Sequence, residues 1–146
     1  MHIAEILAKK GTDVVTVRPD DTIGHAADVL AERRFGALVV SAGDGRIDGI
    51  LSERDLVRGL SQFGDEVRSQ TVSTLMTSPV KTCGSGDTIE QLMSQMTEHR
   101  IRHLPVASDG RLVGMISIGD VVKWRLTELE DEARHLEGYI SGTGYA

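Results

Sequence analysis

The sequence predicts an α/β (α+β) fold built from two copies of one β-α-β-β-α unit, followed by an extended carboxyl-terminal helix. Three observations predict it. The apolar pattern recurs after about 66 residues. Within each copy the pattern switches between the strand period and the helix period, and a heptad-like stripe runs on beyond the second copy.

Ile23, Ala26, Ala27 and Leu30 recur as Ile89, Leu92, Met93 and Met96, 66 positions on. Gly49, Ser52 and Asp55 recur as Gly114, Ser117 and Asp120, 65 positions on, so one residue is lost in the turn between Val106 and Gly114. Each copy opens on a short β run, Val14 to Val17 or Val80 to Thr82. An Asp-Thr pair suited to capping a helix follows, and the next apolar residues fall at i, i+3, i+4 and i+7, one helical face. Arg33-Arg34 and His99-Arg100 end these helices, where cations complement the helix dipole. A short buried strand comes next, Ala37 to Val40 or Leu104 to Val106. Gly43-Asp44-Gly45 and Asp109-Gly110 then supply residues that accept the positive φ of a tight hairpin. The return strand, Ile47 to Leu51 or Leu112 to Ile116, leads into a closing helix that starts at a serine.

Residues 1–65 form the first unit, 66–126 the second, and 127–146 a helical extension and tail. A unit of about 60 residues is near the lower limit for independent folding, so the two are expected to pack through their sheets with pseudo-two-fold symmetry. Val72, Leu75 and Met76 match Ile3, Ile6 and Leu7 as the lead-in to each copy.

Composition narrows the function. Aromatic residues are 3% of the 146, so the core must be aliphatic. No stretch approaches the roughly 20 apolar residues of a membrane span, and the amino terminus lacks the apolar core of a signal peptide, so a cytoplasmic protein with no membrane partner is expected. Cys83 is the single cysteine, which excludes an intramolecular disulfide and a cysteine-rich zinc site. The net charge of −6, with basic residues scattered among acidic ones, opposes nucleic-acid binding. The five histidines form none of the spacings of a metal site.

The chemistry resides in a repeated G-h-h-S-x-x-D pattern (h apolar), Gly49 to Asp55 and Gly114 to Asp120. Serine followed three residues later by an acid is a capping box. The same pair suits a nucleotide: a carboxylate accepts from both hydroxyls of a ribose, and a serine with the free N–H groups of a helix start takes a phosphate oxygen. Capping and binding do not exclude each other.

Two β-α-β-β-α copies ending in this motif resemble the CBS domain family in its paired form, the Bateman module, over about residues 1 to 126. Arg102-His103-Leu104-Pro105-Val106 is similar to the family's second-strand signature. The resemblance implies two clefts between the copies, each suited to an adenosine ligand such as AMP, ATP or NAD(H), and no catalysis. One cleft would use Ser117, Asp120, Arg102 and His103, with adenine near Val15, Phe35, Gly36 and Ala37. The other would use Ser52 and Asp55, with adenine near Val80, Ile101 and Arg102. Because Gly36-Ala37 stand where the second copy has Arg102-His103, the Asp120 cleft is expected to hold phosphate more strongly. The Asp55 cleft would either bind more weakly or draw its charge from Arg54 or Arg58.

Val122, Leu126, Leu129, Ala133 and Leu136 form the heptad-like stripe, able to pack on the core or on a second chain. The family's disc-like dimers imply a homodimer. Gly138 to Ala146 read as a flexible tail with Tyr139, Ile140 and Tyr145 available for docking. The expected function is a nucleotide sensor acting on a separate effector protein. The rival is a structural dimerisation module with vestigial clefts, its serines serving only as caps.

Overall fold

The computed structural model describes residues 2–141. The first repeat contains β1 (Thr16–Val17), α2 (Ile23–Arg33), β2 (Ala37–Val40), β3 (Gly49–Ser52) and α3 (Glu53–Phe63), preceded by α1 (Ile3–Lys10). A 3-10 turn (Gly64–Ser69) and α4 (Val72–Leu75) lead to α5 (Ile89–His99), β4 (His103–Ser108), β5 (Arg111–Ser117) and α6 (Ile118–Ser141).

Local chemistry places these elements. The Thr22 hydroxyl accepts from the His25 N–H at 3.1 Å, and the Thr88 hydroxyl from the Gln91 N–H at 3.1 Å, so each first helix starts on its threonine. Arg34 and Arg100 then end those helices in the left-handed region, at φ 57° and 54°. Asp44-Gly45 and Asp109-Gly110 turn the hairpins with positive φ throughout. In the first repeat β1 pairs parallel to β2, and β2 antiparallel to β3. β4 and β5 pair antiparallel, with a shift of register between Val106 and Ala107 that absorbs the missing residue.

One expected strand does not form. In place of a strand from Val80 to Thr82, Cys83 alone bridges Val106: its N–H donates to the Pro105 carbonyl at 3.0 Å, and the Ala107 N–H donates to the Cys83 carbonyl at 2.8 Å. The next rung would need an N–H from Pro105, which proline lacks; the first repeat has Val39 there and pairs it with Thr16.

The two cores exchange their lead-in helices. Ile3, Ile6 and Leu7 of α1 are buried with Ile89, Leu92, Leu104 and Ile116 of the second repeat. Val72 and Leu75 of α4 are buried with Ile23, Leu38 and Leu51 of the first. The backbone repeats the exchange: the Ile3 N–H donates to the Asp87 carbonyl at 3.0 Å, and the Val72 N–H to the Asp21 carbonyl at 2.8 Å. The motif glycines make room for these segments. A Cβ on Gly49 would lie 2.5 Å from Met76 Sδ, and one on Gly114 2.7 Å from Leu7 Cδ2.

α6 runs unbroken through Gly138, Tyr139 and Ile140 to Ser141, so the tail does not start at Gly138; Tyr145 lies outside the described residues. The stripe does not fold back on the core: Val122, Leu126, Leu129 and Leu136 are all exposed, as are Val57 and Leu60 of α3. Met93, expected on the buried face of α5, is exposed as well. Among the described residues no helix is long and apolar enough to cross a membrane.

Candidate functional site

Both S-x-x-D pairs are complete capping boxes. The Asp55 N–H donates to Ser52 Oγ at 3.3 Å, while the Ser52 N–H returns to Asp55 Oδ2 at 2.8 Å. Ser117 and Asp120 repeat this at 3.2 and 2.8 Å. Each serine hydroxyl also donates to its acid, at 3.1 and 3.0 Å. The β-strand end and the helix start are thereby locked together, and each carboxylate is held at the mouth of its helix.

Beyond the boxes the two acids differ. Asp55 is buried, accepts from the Thr77 hydroxyl at 3.3 Å and pairs with Arg58 at 3.0 Å. Asp120 is more open and pairs instead with Lys10, whose ammonium donates to its Oδ2 at 2.5 Å and to the Met115 carbonyl at 2.7 Å. Burial works to raise the Asp120 carboxyl, but the Lys10 hydrogen bond and those of Ser117 outweigh it and hold it below its ordinary range. Sequence reasoning named neither Thr77 nor Lys10. Thr77 had a weak signal, lying just after the second lead-in segment.

A cleft of about 790 Å³ opens between the repeats. Ser52, Asp55, Val80, Ile101 and Arg102, the residues assigned to the Asp55 cleft, all line it. Gly36, Ala37, His103 and Ser117, assigned to the Asp120 cleft, line the same space. Asp120, Val15 and Phe35 lie outside it.

The lining is strongly basic. Arg54, Arg58, Lys81, Arg100 and Arg102 line the cleft against only Glu53 and Asp55, in a chain that is acidic overall. Arg102 of the second repeat, named for both clefts, thus lines the same space as Asp55 of the first. The reason is the crossing of the repeats at Gly36: a Cβ there would lie 2.8 Å from His103 Cε1, so the ring of one repeat fills the gap left by the other's glycine.

That packing tunes His103. Burial lowers its ring below the ordinary 6.5, with Lys10 and Arg102 adding to the effect and Glu53 and Asp120 opposing it. The folded chain therefore binds fewer protons at this ring than the unfolded one. Its contribution is complete above 6.5 and is lost as pH falls through that value toward the folded one. Urea unfolding at pH 7.5 and 5.5 is expected to show this loss. His103→Gln should flatten the dependence; an unchanged slope would remove His103 as its source.

Among the described residues no group of three His, Cys, Asp or Glu is arranged to hold a metal ion. Cys83 is a buried free thiol, pushed up to about 12 chiefly by burial, and is chemically quiet.

Two interlocked β-α-β-β-α repeats, with a Ser-Asp pair at each closing helix and a basic cleft between them, define a tandem ligand-cleft module. The chain belongs to the CBS domain family, whose model matches residues 3–62 and 72–127. A crystal structure of a CBS-domain-containing protein from Agrobacterium tumefaciens is 48% identical, with a TM-score of 0.83 over 86% of this chain and 99% of that one. A mitochondrial CBS domain-containing protein of Arabidopsis thaliana is 34% identical over 98% of this chain and 73% of its own length. A CBS domain pair crystallised with 5′-methylthioadenosine and S-adenosyl-L-methionine shares the fold at 22% identity, with a TM-score of 0.77 over 88% of this chain and 98% of that one.

Proposed function

We propose that this chain is a regulatory module that binds an adenine nucleotide (AMP, ATP or NAD(H)) between its repeats and relays occupancy to a separate effector protein, catalysing nothing itself. The observation that carries this reading is the cleft: an acidic chain gathers five Lys and Arg around a carboxylate poised at a helix start. Asp55 with Thr77 suits the ribose diol, Val80 and Ile101 offer an apolar seat for adenine, and Arg102, Lys81 and the α3 amino terminus suit phosphate. Ser52, Gly36, Ala37 and His103 complete the walls. Ser117 also lines this cleft, whereas Asp120, Val15 and Phe35, expected at the second site, lie outside it. The adenosine compounds held by the related crystal structure indicate what the fold can accommodate.

The units 1–65 and 66–126, less the lead-in helices they exchange, act as the two bodies whose relative packing the ligand biases, by its differential affinity for the two arrangements. The exposed stripes of α3 and α6 suit a homodimer. A reducing compartment, the cytoplasm, fits the free thiol.

Thermal unfolding with AMP, ATP, NAD and NADH tests the reading. A ligand at about 100 times its dissociation constant adds roughly 2.7 kcal/mol, which for this size raises the midpoint by roughly 5–11 °C. The completeness of both capping boxes favours a second reading, a structural dimerisation module with vestigial clefts. No shift with any of the four ligands would select it.

A further inference from the structure

We infer that Lys10 is a built-in occupant of the Asp120 cleft: its ammonium holds the carboxylate a ribose would need, so the chain takes one nucleotide, at Asp55. This rests on the nucleotide reading above and assigns its stoichiometry.

The argument is a comparison of equivalent positions. On the Asp55 side the chain leaves α4 after Leu75, and the Thr77 N–H donates to the Ile50 carbonyl at 2.8 Å while the Thr77 hydroxyl donates to Asp55. On the other side α1 is a turn longer and ends at Lys10. The Met115 carbonyl, the counterpart of Ile50, receives the Lys10 ammonium, and so does Asp120, the counterpart of Asp55. One charged group thus takes the place of a threonine's backbone and hydroxyl. The last turn of α1 is held there by a second contact, the Lys9 ammonium 5.0 Å from the centre of the Trp124 ring, one helical turn beyond Asp120.

The space agrees. The open cleft includes Ser52, Asp55 and Thr77 but excludes Asp120, Val15 and Phe35. Arg58 on Asp55 is a different case, since it comes from the same helix and itself lines the cleft, where it can turn to a phosphate. Lys10 comes from another element and lines no part of that cleft.

Titration calorimetry with AMP and with ATP, on the parent chain, Lys10→Met and Lys10→Gln, decides it; thermal melts confirm that each variant is folded. The expected result is one ligand per parent chain and a doubling in both variants, the added site disappearing when Asp120→Asn is combined with Lys10→Met. Two ligands on the parent chain would overturn the inference and leave the nucleotide reading intact. A single ligand in parent and variants alike would overturn it too. No ligand on the parent but one on Lys10→Met, lost with Asp120→Asn, would uphold the block by Lys10 while removing the Asp55 assignment. No ligand on any chain would overturn both.

Discussion

Ile6→Ala is expected to loosen the repeat that Ile6 precedes by some eighty residues, not the one that follows it directly in the chain. Ile6 is fully buried among Leu92, Leu104 and Ile116. Truncating such a side chain costs about 2–5 kcal/mol, because the surroundings close only part of the cavity. For a chain of this length the midpoint should fall by roughly 5–20 °C. Hydrogen exchange locates the damage: protection should weaken in α5, β4 and β5 while β2 and β3 keep theirs. Leu75→Ala should produce the mirror image, loosening α2, β2 and β3. If Ile6→Ala exposed the first repeat instead, the exchange of lead-in helices would be wrong.

Asp55→Asn is expected to cost nucleotide affinity roughly tenfold to a hundredfold, about 1.5–3 kcal/mol for a hydrogen bond to a charged group. The isosteric amide keeps the shape of the capping box but replaces one acceptor oxygen with a donor. It therefore also opposes the Ser52 N–H or the Arg58 guanidinium, and a modest loss of stability should accompany the loss of binding. Calorimetry and a melt on the same sample separate the two. Asp120→Asn should leave affinity close to that of the parent. Equal losses in both variants would mean that the two clefts are filled alike.

Much of this was legible in the chain because the repeat compares each residue with a counterpart. The threonine caps, the hairpin turns with Asp and Gly, and the serine-started helices all lie where the 66- and 65-residue offsets place them. Even the missing strand at Val80 was readable in principle, since proline stands at the counterpart of Val39. The exchange of lead-in helices was not. Periodicity tells which side chains of α1 are buried but not what they are buried against. Lys10 escaped for a related reason. α1 and α4 differ in length, so the residue that reaches Asp120 has no counterpart in the other copy. That Arg102 and Asp55 share one cleft was implied by the family resemblance, but the contact that joins the two copies there, His103 against Gly36, has no signal in the repeat itself.

The exchanged helices also set an order of events on the ribosome. α1 is synthesised long before Ile89, Leu104 and Ile116 exist, and at roughly 5–20 residues per second it waits several seconds for its seat. During that time Ile3, Ile6 and Leu7 have no native apolar surface to cover them. The first repeat can close as soon as α4 emerges, whereas the second closes last, around a segment made first. Nascent chains halted when about 80 residues have emerged from the ribosome should therefore hold a protected first repeat beside an amino-terminal helix still open to proteases and chaperones.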